Sequence, residues 1–440
     1  MKLFKALIIL FFLINCSFDD KTGIWKNDNQ VNTKKNQPFE EFKSLSNIKE
    51  KFNKEISLDT NFNFNNTKSI LNYEWNDVFY TGDNNFKNFN YDNQNKLLFK
   101  SRKLTNYRTD KYILYENNNL ITSDIKGNII VYSINENKEL LKFNFYKKRY
   151  KKINKILNLI VNNNIIYASD NLGFVYALNY KTNKILWAKN YKIPFRSNIK
   201  ISNNKIILAN QNNTLYFISI TNGEILKAVP TEESPFKKKF KNNLAVYKDN
   251  IIFLNTYGSL YSLNIEAMKI NWFTNLNPTI DINPSNIFTS NQIIVFENKI
   301  FVPVNDNFYI IDQSLGSVIF KKNYTSILKP LILNNILYTV DNNFLIATEL
   351  KTGKIIFSYN INKKISDFLN IKRKQVDYQS LMLAENKIYI FLKNSFVLKF
   401  NLNGELSEID KLPEKIKSKP IIIDSSLIFL NTKNRISVVN

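Results

Sequence analysis

The sequence predicts an all-β fold: an eight-bladed β-propeller of four-stranded antiparallel blades, closed by an N-terminal strand. Three observations support this prediction: a unit that recurs eight times, aromatic residues at fixed positions within the unit, and a matching strand upstream of the first unit. Of the 440 residues, 44% are hydrophobic and 14% are aromatic. This composition provides enough apolar material for a large core and excludes a disordered chain.

The repeated unit contains a short apolar strand, a turn, a second strand ending in Asn or Asp, a further turn that often holds Thr-Gly, and an aromatic strand. Residues 164–190 form the clearest copy. Successive units open 37 to 51 residues apart, at Asn119, Asn164, Asn204, Asn250, Asn298, Asn335, Asn386 and Ser426. Four-stranded propeller blades repeat about every 40–45 residues, so this spacing indicates eight blades.

Aromatic side chains recur at two positions of the unit. One strand position holds Tyr132, Tyr176, Tyr216, Tyr261 and Tyr309 in the first five copies. A later position holds Phe143, Trp187, Trp272, Phe320 and Phe357, and is replaced by Lys227 and Ile409 in the third and seventh copies. We expect these rings to be core residues and not a cofactor site. Glycines such as Gly223 and Gly316 lie at the tight turns, where a positive φ is needed.

The eighth copy lacks an aromatic strand of its own. Residues 95–100 match residues 183–188, with Phe99 at the position of Trp187. A strand near 96–104 is therefore expected to complete the last blade, because propellers avoid an open sheet edge. The predicted propeller spans residues 67–440, with its repeats over 119–440.

The N-terminal residues resemble a bacterial lipoprotein signal. Lys2 and Lys5 precede an apolar run at 6–14, which suits a signal-peptide core and is too short to span a bilayer as a helix. The run leads into Leu-Ile-Asn-Cys, which resembles a lipobox ending at Cys16, the single cysteine. Asn15 departs from the small residue that the pattern prefers. We expect residues 1–15 to be removed and Cys16 to be lipidated, and Ser17 favours the periplasmic face of the outer membrane.

Residues 16–66 are interpreted as the lipidated N-terminus and a flexible tether, rich in Asn, Lys, Asp and Glu. Within it, 40–56 has apolar residues at helical spacing. This stretch is expected to be either a mobile spacer with transient helicity or a docking segment.

Composition narrows the functional classes. Because the chain has no His and one Cys, Ser-His-Asp and Cys-His mechanisms, His-ligated metal sites and internal disulfides are excluded. The net charge of +24, from 61 Lys+Arg against 37 Asp+Glu, is carried mostly by Lys. Nucleic-acid recognition usually relies on Arg, so we expect no nucleic-acid partner. A compositional bias explains the charge best, and attraction to an anionic surface is the alternative.

The unit resembles the PQQ-like repeat of quinoprotein propellers. Residues 173–179 (GFVYALN) and 182–187 (TNKILW) carry this resemblance. A lipobox followed by eight such repeats resembles the BamB family, the lipoprotein subunits of the outer-membrane β-barrel assembly (BAM) complex. Residues 75–85 (WNDVFYTGDNN) are similar to a Trp…Gly-Gly-Asn segment before the first blade of some relatives, with Asp83 replacing the second Gly. The similarity covers about residues 70–440.

The resemblance implies a non-catalytic scaffold with no cofactor and no metal. Members of the family bind the periplasmic POTRA domains of BamA through loops on one propeller face and aid the insertion of unfolded outer-membrane proteins. Other BAM subunits are implied partners. The loop after the third blade, about 230–240, matches a contact region of relatives, which makes Glu232, Glu233 and Lys237 candidate partner-binding residues. An ordinary surface loop is the alternative interpretation.

Two other functions remain open at this point. PQQ-dependent dehydrogenases have similar repeats but use a calcium site, a catalytic Asp and commonly an adjacent Cys pair. The candidate carboxylates Asp124, Asp170 and Asp341 lie at repeat turns, where Asp is common for backbone reasons. The second alternative is an envelope lipoprotein that binds an anionic polymer through Lys-rich loops at 147–152 and 237–241.

Overall fold

The computed structural model describes residues 16–18, 25–27, 52–58, 62–233, 241–277, 288–372 and 375–440. The chain divides into two units, Met1–Glu50 and Lys51–Asn440. The first unit contains a short antiparallel pair of strands, β1 (Cys16–Phe18) and β2 (Trp25–Asn27). In the portions of the chain just named, no helix is both long enough and apolar enough to cross a membrane.

The second unit consists of eight four-stranded antiparallel sheets, which confirms the predicted eight-bladed propeller. Strand β3 (Leu97–Lys100) precedes the first blade. The blades, numbered in chain order, contain these strands: blade 1, β4 (Leu114–Glu116), β5 (Asn119–Ser123), β6 (Asn128–Ser133) and β7 (Lys138–Asn144); blade 2, β8 (Leu157–Asn162), β9 (Ile165–Asp170), β10 (Phe174–Asn179) and β11 (Lys184–Asn190); blade 3, β12 (Lys200–Ser202), β13 (Lys205–Ala209), β14 (Leu215–Ser219) and β15 (Ile225–Val229); blade 4, β16 (Asn243–Tyr247), β17 (Asn250–Leu254), β18 (Ser259–Asn264) and β19 (Lys269–Asn275); blade 5, β20 (Ile294–Phe296), β21 (Lys299–Val304), β22 (Asn307–Asp312) and β23 (Val318–Lys322); blade 6, β24 (Leu331–Leu333), β25 (Ile336–Asp341), β26 (Phe344–Glu349) and β27 (Ile355–Asn360); blade 7, β28 (Tyr378–Ala384), β29 (Lys387–Leu392), β30 (Phe396–Asn401) and β31 (Leu406–Lys411); blade 8, β32 (Ile421–Ile423), β33 (Ser426–Leu430) and β34 (Ile436–Val439). Two short helical elements join blades: a 3₁₀ turn at Lys148–Tyr150 and helix α1 (Ile361–Leu369).

The first strand of each blade is the innermost. It is buried, and first strands of neighbouring blades approach one another, as β12 and β16 do. The fourth strands lie at the rim, where Leu186, Ile225 and Phe273 are about half exposed. The core is therefore a series of apolar layers between adjacent blades, such as Leu114 and Ile121 against residues of β8 and β9.

Strand β3 completes blade 8, as the sequence predicted, by pairing antiparallel with β34. Two backbone hydrogen bonds of 3.1 and 3.2 Å join Lys96 to Asn440. On the other side, the Ser101 hydroxyl accepts the amide hydrogen of Ile436 at 2.8 Å. The strand ends before residue 104, because the Leu104 amide donates to the loop carbonyl of Asn434 at 3.0 Å and leaves the sheet ladder.

The repeated aromatic rings pack onto the turns of the next blade. Trp187 of blade 2 lies against Gly223 of blade 3, and Trp272 of blade 4 lies against Gly316 of blade 5. A Cβ on Gly223 would approach the Trp187 ring to 2.4 Å, so the turn needs a glycine both for this contact and for its φ of 71°. The indole N–H of Trp187 donates to the Ile220 carbonyl at 3.0 Å.

The same arrangement continues where Phe replaces Trp: Phe320 lies against Gly353, and Phe357 against Gly404. The other predicted rings occupy buried or partly buried positions. Tyr132, Tyr176, Tyr261, Tyr309, Trp187 and Phe357 are buried, whereas Tyr216, Phe99, Phe143, Trp272 and Phe320 are partly exposed. The ring-on-glycine contacts join blade 2 to 3, 4 to 5, 5 to 6 and 6 to 7. The repeated residues of the sequence therefore form the interfaces between these blades.

Asparagine shapes the hairpins between the first and second strands. In blade 1 the two turn residues Asn117 and Asn118 have φ of 50° and 62°, and Asn163 and Asn164 repeat this in blade 2. Two consecutive residues with positive φ form the type I′ turn that suits twisted hairpins, and Asn tolerates this conformation best after Gly. The abundant Asn of this Gly-poor chain therefore has a structural use.

Residues 52–58, which the sequence analysis placed in the tether, contact blade 6. Phe52 packs edge-on against Tyr324 and Phe344 at 5.8 and 6.1 Å. Ile56 forms a bridge with Ser358 through hydrogen bonds of 3.0 and 2.9 Å. The helix considered for 40–56 is therefore absent at 52–56, because the backbone there is extended, and residues 40–51 lie outside the described part of the chain.

Candidate functional site

The central channel is lined by one polar side chain from each blade. Each of these residues lies five positions before the first residue with positive φ in the hairpin that follows the innermost strand. The set, called here the channel ring, is Tyr112, Asn158, Asn198, Asn243, Gln292, Lys329, Ser380 and Lys419. The repeat thus projects eight polar groups into one narrow space.

Residues 70–92, called here the plug segment, close one end of the channel. The segment hydrogen-bonds to the innermost strands in turn: Trp75 to Tyr115 in blade 1, Gly82 to Val246 in blade 4 and Asp83 to Val295 in blade 5. The two ends of the segment contact blades 7 and 8: the Phe89 amide donates to the Leu383 carbonyl of β28, and the Asn72 side chain donates to the Ile422 carbonyl of β32. These contacts lie at the hairpin end of the innermost strands.

A buried ion pair holds the plug segment to blade 3. The Lys200 ammonium lies 2.7 Å from the Asp77 carboxylate and donates to the Thr81 carbonyl at 2.9 Å and to Asn84 Oδ1 at 2.5 Å. The side chains of Lys200 and Asp77 are 1% and 7% exposed. Three acceptors therefore satisfy all three protons of this ammonium.

Asn84 extends the same cluster to two further blades. Its side-chain amide donates to the backbone carbonyls of Leu244 at 3.0 Å and Ile293 at 2.9 Å. Asn84 itself has a φ of 61° and is fully buried. The Asn of the Trp…Gly-Gly-Asn-like segment is thus the point at which the plug joins blades 4 and 5.

A pocket of about 300 Å³ opens at the other end of the channel. Val78 and Phe79 of the plug segment form part of its wall, together with channel-ring residues of blades 1 to 5. Gln292 of blade 5 donates from Nε2 to the hydroxyl of Tyr112 in blade 1 at 2.8 Å. Blades 1 and 5 are opposite in a ring of eight, so this bond crosses the channel.

Lysines crowd the pocket and the space behind it. Lys111 and Lys241 line the pocket, and Lys111 and Lys419 each lie 5.1 Å from the Tyr112 ring centroid. Deeper in the channel, Lys329 donates to the Phe79 carbonyl at 2.9 Å and lies 3.3 Å from the Phe86 ring centroid. Asp110 is the carboxylate among the lining residues.

Burial and repulsion between neighbouring cations destabilise the charged forms of Lys419, Lys241 and Lys329. Burial, with repulsion from Lys111, lowers the pKa of Lys419 to about 7. Burial lowers the pKa of Lys241 as well, and Asp110 opposes this effect while Lys111 and Arg196 add to it. The pKa of Lys329 lies well below its usual value, chiefly through burial and then through Lys200 and Lys419. The channel is therefore a region of positive potential.

The predicted partner-binding residues have different environments. The Glu232 carboxylate accepts hydrogen bonds from Asn255 at 3.0 Å, from Ser259 at 3.2 Å and from the Tyr261 hydroxyl. Glu232 therefore fixes the loop between blades 3 and 4. Glu233 is exposed, and Lys237 lies outside the described residues.

Other residues named from the sequence are also placed. Asp124 accepts the backbone hydrogens of Lys126 and Asn128 at 2.9 and 3.2 Å, and Asp170 does the same for the turn that follows it. Both carboxylates thus stabilise turns. Within the described residues, no group of three or more His, Cys, Asp or Glu side chains is arranged to hold a metal ion. Cys16 lies in β1, and its lipidation stays a prediction.

The sequence analysis missed the channel ring and its lysines. A signal was present: a polar residue directly precedes the apolar run of each innermost strand, as in Lys329-Pro330 and Lys419-Pro420. The aromatic residues give the stronger periodic signal, and the polar residue before each innermost strand is less conspicuous because its type varies from blade to blade.

The blades, their ring-on-glycine interfaces and the polar channel define a PQQ-like repeat β-propeller. Residues 115–359 match the profile of the family described as "Outer membrane protein assembly factor BamB". The chain belongs to this family.

Individual relatives are distant. An uncharacterized protein of Rickettsia conorii is 26% identical over 292 residues, which cover 61% of this chain and 67% of that protein. The crystal structure of BamB from Moraxella catarrhalis matches with a TM-score of 0.62 and 12% identity, over 78% of this chain and 99% of that chain. Quinohemoprotein alcohol dehydrogenase from Comamonas testosteroni matches with a TM-score of 0.61 and 9% identity, over 83% of this chain and 80% of that chain. These likenesses show the fold, which hosts both an assembly factor and an enzyme.

Proposed function

We propose that this protein is a non-catalytic scaffold lipoprotein of the BAM complex. It is anchored through Cys16 at the periplasmic face of the outer membrane and binds BamA-like POTRA domains, other BAM subunits and unfolded outer-membrane proteins. Membership of the BamB family is the observation that supports this role.

The propeller suits a scaffold because its loops are presented by a rigid ring. The connections between blades all emerge at the pocket end of the channel, and the loop containing Glu232 is among them. Glu233 is the exposed acidic residue of the described part of that loop, so we place it at the partner surface. Loops held on a rigid frame can bind a partner without a large loss of conformational entropy.

The rim of the propeller can also accept an extended segment. Ile56 already pairs with Ser358 of β27, the outermost strand of blade 6, through a reciprocal pair of backbone hydrogen bonds. An unfolded barrel protein could add to the other outer strands in the same manner. This contact within the chain supports client binding by strand addition.

The test is a pull-down from detergent-solubilised outer membranes with tagged full-length protein. Recovery of barrel-assembly subunits is expected, and Glu233→Lys should reduce it severalfold. Glu224→Lys is the matched control, because Glu224 is an exposed residue of the same blade at the opposite end of the sheet. Equal recovery with both variants would remove Glu233 from the partner surface, and failure to recover any assembly subunit would refute the scaffold role.

A second candidate function has a specific observation in its favour. The exposed loop at 147–152 carries four Lys and one Arg, and it emerges at the same end of the propeller as Lys241. This surface could bind an anionic envelope polymer. Recovery of a polymer that dissociates in high salt, with no protein subunits, would favour this function over the scaffold.

A further inference from the structure

We propose that the channel pocket is a binding site for a small multivalent oxyanion, a compound carrying at least two phosphate or carboxylate groups. Lys111 and Lys241 would contact the anion directly, and Lys419 would add to the attraction from the channel wall. This inference concerns the channel and is independent of the proposed scaffold role.

The first argument is the excess of positive over negative charge. Within the described part of the chain, none of Lys111, Lys241 and Lys419 forms an ion pair with a carboxylate. Asp110 lines the same pocket, but its Oδ1 accepts the backbone hydrogen of Tyr112 at 2.9 Å and is used in a turn. Lys111 and Lys241 are exposed at the mouth of the pocket, and Lys419 is partly buried in the channel behind it.

The second argument is shape. The pocket is blind, because the plug segment and the Tyr112–Gln292 hydrogen bond close its inner end. Its volume of about 300 Å³ suits a small ligand and is too small for a folded partner. Low-dielectric walls around a recess lined with one sign of charge concentrate the electric field and raise the local concentration of counter-ions.

The third argument is the state of the lysines without a ligand. Burial and the neighbouring cations lower the pKa of Lys419 and of Lys241, so each ammonium is held at a disadvantage. An oxyanion among them would reverse this effect by supplying the missing negative charge. The side chains of Asn158 and Asn243 also line the pocket. Each amide donates one hydrogen bond within the protein, to the Ser169 hydroxyl at 3.4 Å and to the Asn291 carbonyl at 3.1 Å, and each has a second N–H that can donate.

The experiment is isothermal titration of the full chain with pyrophosphate and, separately, with citrate at low ionic strength. One-to-one binding of at least one probe is expected. The double variant Lys111→Met with Lys241→Met should weaken it by about tenfold or more, since it removes two charge-assisted contacts. The matched control is Lys147→Met with Lys151→Met, which changes the net charge equally in an exposed loop of the same face. The control should change affinity by less than about twofold, because its two lysines do not line the pocket.

Each outcome is decisive. Preference for pyrophosphate assigns a phosphate ligand, preference for citrate assigns a carboxylate ligand, and both support the site. Absence of saturable binding, or an equal loss in the control, overturns it. Thermal unfolding separates misfolding from lost contacts: removing clustered cations should leave the unliganded variant at least as stable as the native protein. Should the double variant unfold at a lower temperature, the single variants Lys111→Met and Lys241→Met provide the affinity comparison.

Discussion

Replacing Lys200 by Met should loosen the plug segment and destabilise the whole propeller. The substitution keeps most of the aliphatic volume but removes the charge and its three hydrogen bonds to Asp77, Thr81 and Asn84. It leaves the Asp77 carboxylate, which is 7% exposed, without its ion-pair partner. Removing one partner of a buried ion pair costs about 3–5 kcal/mol, and we expect a loss of this size.

Urea unfolding followed by tryptophan fluorescence is a suitable assay, because Trp75 is buried in the plug segment itself. Lys205→Met in the same blade is the matched control. Lys205 pairs with Glu266 at 2.7 Å, but the Glu266 side chain is 73% exposed, so the loss of this pair should destabilise the protein much less than the loss of the Lys200 pair.

A double variant separates the charge effect from lost packing. If the unpaired Asp77 charge dominates, Asp77→Asn added to Lys200→Met should restore about 2 kcal/mol relative to the sum of the single changes. The reasoning is refuted if Lys200→Met destabilises the protein no more than Lys205→Met does. That result would mean that the plug is held by its backbone contacts alone.

Three further perturbations test other parts of the structure. Gly316→Ala should destabilise the protein by at least about 1–2 kcal/mol in thermal unfolding, because the φ of Gly316 is 71° and the new Cβ would lie 2.5 Å from the Trp272 ring. Gly82→Ala is the control, since its Cβ would meet no atom closer than 3.4 Å. The pKa of Lys419 is about 7 in the folded protein, against 10.5 for an ordinary lysine, so the free energy of unfolding should rise between pH 7 and 10.5. Lys419→Met should flatten this rise, and an unchanged pH profile in the variant would contradict the assignment. Hydrogen bonds from Lys387 and then Lys399 lower the pKa of Glu408 to about 2. The contribution of Glu408 to the free energy of unfolding is therefore complete above pH 4.5 and should be lost as the pH falls towards 2. Unfolding measured across the acid range should lack this loss in Glu408→Gln.

The fold could be predicted from the sequence because each blade repeats the same order of strands and turns, mostly with an aromatic residue at the same position. The Trp187 and Trp272 rings recur with the glycines they pack on, so one periodic signal encodes both the strands and the blade interfaces. At the junction of blades 3 and 4 both members of the pair change: Lys227 stands at the ring position, and Met268, not glycine, has the positive φ in the following turn.

The channel was not predictable to the same degree. The plug segment contacts the blades through residues at uneven spacing, and such contacts leave no periodic pattern in the chain. Lys200 and Asp77 are 123 residues apart, so nothing local links them. The pairing of Ile56 with Ser358 is a single bridge at the end of a polar stretch, and one residue pair carries no strand signal.

The closure of blade 8 has a consequence for the order of folding. Its fourth strand, β3, precedes blade 1, and its other three strands follow blade 7, so the contact between Ser101 and Ile436 joins residues 335 positions apart. During synthesis, β3 appears before blade 1, yet its partner β34 appears last. Closing so long a loop is slow, and the open ring meanwhile exposes unpaired strand edges. The protein therefore has a vulnerable interval before closure, during which blade 8 lacks its fourth strand and the edge of β34 is open to pairing with another chain.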